Sequence, residues 1–160
     1  MLRQELITYG SISSGVALAL NHNRKSPSSD DSGQRSSKEF KVVLAEDETP
    51  ILGIFSNILS RSGFRVTGTF ENGKDLVDFI KMNTDPELEP DIVVTDLRMP
   101  EMDGVEAAKS IRATKPKIKI ILASAYEVPP DEIGSFDATL KKPFSKNELI
   151  ETISRCLDEE

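Results

Sequence analysis

From Phe40 onward, short apolar runs alternate with segments of helical periodicity, and this alternation limits the folds open to the chain. Five runs are rich in apolar and β-branched residues, and they lie at 41–46, 64–70, 91–96, 118–125 and 138–142. Strands that are apolar throughout and alternate with helices are typical of a parallel sheet covered on both faces. The sequence therefore predicts an α/β fold, a doubly wound parallel sheet of five strands with helices on both faces.

Helical spacing of apolar residues follows each of the five runs. The predicted helices lie at Pro50 to Ser62 with Gly63 as a stop, through Leu76 and Ile80, at Gly104 to Arg112, weakly around Asp131 to Ser135, and from Ser145 onward. Ser145 and Glu148 have the spacing of a capping box. In the last helix, Cys156 shares a face with Leu149 and Ile153, which indicates a core residue rather than a reactive thiol.

The residues before Phe40 differ from the rest in composition. Residues 21–38 are rich in serine and almost free of apolar side chains, which predicts a disordered polar linker. Residues 1–20 form an N-terminal segment of unknown role, whose apolar stretch at 7–20 is too short and too polar for a membrane span. We therefore expect one folded domain, at 40–160.

The folded part carries the acidic charge. The net charge of the chain is −7, residues 1–39 hold five basic and four acidic side chains, and the remainder is at −8. Such a surface disfavours phosphate backbones and anionic lipid, so we expect no direct nucleic-acid partner. Cys156 and His22 are the only cysteine and histidine. They allow no intramolecular disulfide, which fits a cytoplasmic protein, and no metal site built on histidine and cysteine.

Polar side chains follow four of the predicted strands at the point where each strand ends. Glu46 and Asp47 follow the first, Asp96 the third, Ser124 the fourth and Lys142 the fifth. Because the carboxyl ends of parallel strands meet at one edge, these side chains should converge. Single acidic residues at strand ends are most often solvated caps, but the joint placement of the set has no structural need that we can name.

The chemistry of this set favours a divalent metal beside a nucleophile. Clustered carboxylates repel one another, and Mg²⁺ with oxygen ligands relieves that repulsion. Asp96 can act as an in-line nucleophile toward a phosphoryl group. Lys142 offers a point positive charge, and Ser124 a hydrogen bond, to phosphoryl oxygens.

With these residues in place, the sequence resembles the response-regulator receiver family of two-component signalling. The motifs are DIVVTDLRMPEMDGVE around Asp96, AEDE at Glu46 and Asp47, LASA at Ser124, and LKKPF at Lys142 and Pro143. The resemblance implies the flavodoxin-like receiver fold with strand order 2-1-3-4-5. It also implies that the chain is a phosphoacceptor signalling domain, which assists only its own phosphotransfer and autodephosphorylation and is not otherwise an enzyme.

The resemblance further implies a partner and a ligand set. A sensor histidine kinase or phosphotransfer protein would donate the phosphoryl group to Asp96 in a Mg²⁺-dependent step. Asp47, Asp96 and the backbone carbonyl of Arg98 would bind the metal, and Glu46 would do so directly or through water. Ser124 and Lys142 would then close on the phosphoryl group and shift the face that a downstream target protein binds.

Three departures from the family pattern are expected to matter. Thr139 stands where the family has a switch aromatic in the fifth strand. The chain between Ser124 and Lys142 is shorter than usual by about one helical turn, roughly 3.6 residues, and a pair of prolines, Pro129 and Pro130, delays any helix there. Arg98 and Tyr126 are large residues at positions where members of the family tune the loss of phosphate.

Other functions stay open at this point. A degenerate receiver would bind proteins without ever taking up phosphate, and Glu46 and Thr139 leave room for it. A Mg²⁺-dependent phosphatase with an aspartyl-phosphate intermediate would need a second aspartate where this chain has Arg98. A flavin-binding electron carrier would need a phosphate loop after the first strand, where this chain carries negative charge.

Overall fold

The computed structural model describes residues 38–159, and they form one parallel sheet of five strands. The strands are β1 (Lys41–Ala45), β2 (Arg65–Phe70), β3 (Ile92–Thr95), β4 (Lys119–Ser124) and β5 (Ala138–Lys141). They lie side by side in the order β2-β1-β3-β4-β5, and every neighbouring pair is parallel. The predicted fold class and strand order are confirmed.

Four α-helices connect and follow the strands. They are α1 (Thr49–Arg61), α2 (Gly73–Met82), α3 (Gly104–Thr114) and α4 (Lys146–Asp158). Helix α1 begins next to Pro50 and is followed by Gly63 at a φ of 90°, a left-handed angle that glycine adopts without strain. Helix α4 begins with the predicted capping box of Ser145 and Glu148.

The sheet separates two hydrophobic clusters because successive residues of a strand point to opposite faces. One cluster joins Val43, Val93 and Ile120 of the strands to buried residues of α2 and α3. The other joins Val42, Val94 and Ile121 to buried residues of α1 and α4, among them Cys156. The predicted core position of Cys156 is confirmed.

The weak helix predicted around Asp131 to Ser135 is only a single turn of 3-10 helix, Ile133–Ser135. The preceding Pro129 and Pro130 supply no backbone N–H, and Gly134 disfavours a helix interior. Within the described part of the chain, the connection from β4 to β5 contains no α-helix. On the face that carries Leu122, this connection packs through Val128 and Phe136 instead of through a helix of its own.

The predicted N-terminal segment at 1–20 and nearly all of the predicted linker at 21–38 lie outside the described residues. Their assignment stays a prediction. Among the described helices, none has the length and apolar character needed to cross a bilayer.

Candidate functional site

Three carboxylates meet at the carboxyl ends of the two central strands. Glu46 and Asp47 follow β1, and Asp96 follows β3. One carboxylate oxygen of each lies within 4.8 Å of those of the other two. The backbone holds them there, because the amide of Asp96 donates to the carbonyl of Ala45 at 2.9 Å and continues the strand pairing.

The carboxylates differ in their access to water. Only 3% of the surface of Glu46 and 8% of that of Asp96 is exposed, whereas Asp47 is exposed. Buried carboxylates are costly unless other groups compensate their charge. The site therefore needs positive charge.

Lys142, the residue after β5, supplies a positive charge to both buried carboxylates. Its Nζ lies 2.5 Å from Oε2 of Glu46 and 3.3 Å from Oδ1 of Asp96. Its backbone amide donates to the carbonyl of Ser124 at 2.9 Å, so strand pairing fixes the start of the side chain. The peptide bond between Lys142 and Pro143 is cis.

Burial and pairing set the protonation of this ion pair. Burial raises the pKa of Glu46, and the hydrogen bond from Lys142 only partly opposes that effect. Burial alone would lower the pKa of Lys142, but Glu46 and Asp96 together outweigh it and the pKa is raised. Lys142 is therefore a cation at neutral pH.

Ser124, the last residue of β4, is buried at the same edge of the sheet, with 3% of its surface exposed. It pairs with Lys141 in the β4–β5 ladder, which places it beside Lys142. Its hydroxyl accepts a hydrogen bond from the backbone amide of Tyr126 at 3.0 Å. Because a hydroxyl also has a proton to donate, Ser124 can bond another oxygen at the same time.

The loop after Asp96 is held close to the sheet by Gly104. The amide of Gly104 donates to the carbonyl of Leu97 at 2.8 Å. A Cβ atom at this position would lie 2.2 Å from the carbonyl oxygen of Asp96. The absence of a side chain therefore lets the first turn of α3 pack directly against the backbone of Asp96.

Arg98 and Tyr126, which lie two residues after Asp96 and Ser124, contact each other. The guanidinium carbon of Arg98 lies 3.7 Å from the centre of the Tyr126 ring, which is a cation–π contact between the loops after β3 and β4. The sequence placed each residue near the site but gave no sign of their contact. It depends on the conformation of two loops without regular structure.

The site residues suit a hard divalent cation. The three carboxylates offer only oxygen atoms, which are the ligands that Mg²⁺ prefers, and exposed Asp47 leaves room for the water that Mg²⁺ retains. Arg98 lies two residues after Asp96. The participation of its carbonyl group stays a prediction.

Thr139 is exposed, and a surface cavity of about 270 Å³ lies beside it and beside Ser124. The sequence identified Thr139 as unusual but did not predict the cavity. The short connection between Ser124 and Lys142, with its pair of prolines, was the available signal, because it leaves little room for a helix beside these residues.

The comparison with known proteins agrees with this geometry. The family model of the response regulator receiver domain matches residues 42–154. The chemotaxis protein CheY of Thermotoga maritima is 32% identical over 119 residues, which span 72% of this chain and 95% of that protein.

Solved structures share the fold. A CheY-like receiver domain from Methanospirillum hungatei has a TM-score of 0.67 at 22% identity, covering 76% of this chain and 95% of that one. The response regulator TrrA of Thermotoga maritima, solved in complex with Mg²⁺ and BeF, has a TM-score of 0.63 at 29% identity. That match covers 73% of this chain and 98% of TrrA.

Proposed function

Because the chain belongs to the response-regulator receiver family of two-component systems, we propose that Asp96 accepts a phosphoryl group from a sensor histidine kinase or phosphotransfer protein. One observation carries the proposal. The Asp96 carboxylate lies in a cluster with Glu46 and Asp47, and Lys142 approaches it to 3.3 Å. A nucleophile, a candidate metal site and a fixed cation thus share one edge of the sheet.

In the proposed step, a carboxylate oxygen of Asp96 attacks the phosphorus atom of a phosphohistidine on the donor. A phosphorus–oxygen bond forms as the phosphorus–nitrogen bond breaks. The imidazole leaves with the electron pair of that bond and takes a proton from water. The products are an aspartyl phosphate on this chain and a free histidine on the donor.

Glu46, Asp47, Asp96 and the backbone carbonyl of Arg98 would hold Mg²⁺, which neutralises charge on the transferred group. Lys142 would move its hydrogen bond from the carboxylates to a phosphoryl oxygen, since the ammonium group has three protons to donate. Ser124 would donate its hydroxyl proton to a second phosphoryl oxygen.

The signal would then pass to a partner protein in the cytoplasm. When a phosphoryl group binds Ser124 and Lys142, it stabilises one arrangement of the strand ends. The contacts that do so are absent from the free form. Such differential contacts shift the population of conformations, and a partner that prefers the shifted form binds more tightly.

Incubation with Mg²⁺ and acetyl phosphate, followed by intact-mass measurement, tests the proposal. We expect the chain to gain one phosphoryl group, and to gain none when EDTA removes the metal. The Asp96→Asn variant should gain none. Asp78→Asn is the matched control, because Asp78 lies in α2 and is paired there with Lys74.

An unchanged mass for the wild type, or an equal gain by Asp96→Asn, contradicts the proposal. The first result favours the alternative of a receiver that binds proteins without phosphorylation.

A further inference from the structure

The loop between β3 and α3, residues 97–103, contains a strained backbone angle. Among the described residues, Glu101 is the only one other than glycine with a positive φ, and its value of 65° lies in the left-handed region. The amide of Met102 donates to the carbonyl of Pro100 at 2.7 Å, which closes a γ-turn of the rare, strained form. Such an angle persists only where the surrounding structure holds it.

Apolar side chains hold this loop against the domain. Leu97, Met99 and Met102 are partly buried and pack against the hydrophobic cluster that α2 and α3 share. The residues between them are exposed, so the loop has one face in the core although it contains no helix or strand. The burial of these side chains favours one position of the loop over an open one.

Two glycines bond the loop to the helices on either side of it in the sequence. The amide of Gly104 donates to the carbonyl of Leu97 at 2.8 Å and joins the two ends of the loop. Gly73, the first residue of α2, donates its amide to the carbonyl of Met102 at 3.2 Å. A Cβ atom on Gly73 would lie 2.3 Å from that carbonyl oxygen, so only glycine allows α2 to approach the loop this closely.

The same loop carries part of the proposed metal site. Arg98, whose backbone carbonyl is a predicted ligand of Mg²⁺, is its second residue. A ligand on a moving loop must be ordered when the metal binds, and the lost freedom weakens binding. The γ-turn, the apolar contacts and the two glycine bonds join parts of the protein to each other, and none of them needs a bound ion.

We propose that the loop is fixed before the metal binds, and that Gly73 is a positioning residue for the metal ligand at Arg98. The amide of Gly73 ties α2 to Met102 and opposes the tendency of Glu101 to leave its strained angle. The role rests on the proposed function, because the metal site belongs to it. It adds α2, which supplies none of the proposed ligands, to the elements that determine the affinity for the metal.

Amide hydrogen exchange in the full chain, measured by NMR with EDTA present, tests whether the loop is fixed without metal. The amides of Gly73, Met102 and Gly104 donate the bonds of the loop and should exchange about 100-fold more slowly than in an unfolded chain. The amide of exposed Glu101 donates to no backbone carbonyl among the described residues and should exchange fast. If the first three amides exchange as in an unfolded chain until Mg²⁺ is added, the metal orders the loop and the proposal is overturned.

Gly73→Ala tests the positioning role, with the affinity for Mg²⁺ measured by isothermal titration calorimetry. The new Cβ atom displaces the carbonyl of Met102, and we expect Mg²⁺ to bind about tenfold more weakly. Ile80→Val is the control, because it removes a methyl group from the same helix and the same cluster. It should lower the stability of the fold and leave the affinity unchanged. A folded Gly73→Ala chain with the wild-type affinity refutes the role of Gly73.

Glu101→Gly, added to Gly73→Ala, tests how Gly73 acts. Glycine adopts a φ of 65° without strain, so a loop with Gly at position 101 needs less holding. The double variant should therefore recover about threefold of the lost affinity, which a loss of stability alone would not explain. No recovery would show that Gly73 does not act by holding Glu101. If Gly73→Ala is unfolded in both backgrounds, the exchange rates of the wild type decide whether the loop is fixed.

The outcomes separate this proposal from the proposed function. If the wild type binds Mg²⁺ and accepts phosphate while Gly73→Ala binds Mg²⁺ equally well, the positioning role is refuted and the proposed function stands. If the wild type binds no Mg²⁺, the metal site fails and the role of Gly73 fails with it.

Discussion

At the scale of single residues, Lys142 contacts the carboxylates that the proposed metal site would use. Among the residues that the structure describes, Lys142 is the one basic side chain within ion-pair distance of Glu46 and Asp96. Its charge compensates the burial of both carboxylates when no metal is bound. The same charge repels a cation that approaches them.

We therefore expect Lys142→Met to bind Mg²⁺ about tenfold more tightly than the wild type, since it removes one positive charge beside the ligands. Isothermal titration calorimetry measures the affinity. Lys141→Met is the control, because Lys141 pairs with exposed Glu127 and should not change the affinity. Weaker binding by Lys142→Met would show that the lysine organises the metal ligands more than it repels the metal.

We also expect the large side chains of Arg98 and Tyr126 to lengthen the life of the aspartyl phosphate, because they hinder the attacking water. Arg98→Ala and Tyr126→Ala should each speed the decay of the phosphorylated chain. Because the two side chains contact each other, the double variant should be less than additive, by about threefold.

The decay is followed by intact mass after removal of the phosphodonor. Arg61→Ala, at the far end of α1, is the control and should decay like the wild type. Equal decay rates for all variants would dispose of the idea, and strict additivity would show that the contact itself plays no part.

Cys156 should be nearly inert in the folded chain. It is buried in the cluster beneath α1 and α4, and burial raises the pKa of its thiol, so the reactive thiolate is scarce. We expect Ellman's reagent at pH 8 to react with it about 100-fold more slowly in the native chain than in urea. A Ser60→Cys thiol on the exposed surface of α1 should react fast in both states, and equal rates for Cys156 would contradict its burial.

At the scale of elements, the approach of α3 to β3 depends on Gly104, and α1 provides a matched position. A Cβ atom at Gly104 would lie 2.2 Å from a backbone oxygen, whereas one at Gly53 would meet no atom within 4 Å. Gly104→Ala should lower the free energy of unfolding by about 3 kcal/mol. Gly53→Ala should raise it by about 1 kcal/mol, because Gly53 is inside a helix.

Urea denaturation measures both changes, with the slope of the free energy against urea concentration as a check on cooperativity. Gly104→Ala should also slow the acceptance of phosphate, since the clash moves the backbone of Asp96. A Gly104→Ala variant as stable as the wild type would contradict the tight packing of the turn.

Most of the helices and strands could be predicted from the sequence. The strands and α-helices were predictable because their apolar patterns match buried faces. The proximity of Glu46, Asp47 and Asp96 followed from the parallel order of the strands. The segment around Asp131 to Ser135 was predicted as a weak helix and is one 3-10 turn. Pro129, Pro130 and Gly134 disfavour an α-helix there more than the weak apolar periodicity favours one.

The parts of the site that could not be predicted depend on loops. The contact between Arg98 and Tyr126 and the cavity beside Ser124 are set by residues 97–103 and 125–137, which have little regular structure. A strand fixes the direction of its side chains through backbone pairing, but a loop does so only through many weak contacts. Those contacts leave no periodic pattern in the sequence.

At the scale of the whole molecule, both hydrophobic clusters are built from residues between Val42 and Leu157. Every carboxylate, hydroxyl and ammonium group of the proposed site lies within the same range. The predicted domain at 40–160 should therefore contain all that is needed for folding and for acceptance of phosphate, which makes the predicted boundary testable by truncation.

A fragment that begins at Lys38 should unfold within about 2 °C of the full chain, because it keeps every residue of the two described clusters. It should gain phosphate on Asp96 at the same rate, measured by intact mass with acetyl phosphate and Mg²⁺. The start at Lys38 keeps its ion pair with Asp91, 3.1 Å long, next to β1. A fragment that begins at Leu44 is the control and should not fold, since it lacks most of a central strand. If the Lys38 fragment were also unfolded, the N-terminal residues would belong to the domain, and the boundary inferred from their composition would be wrong.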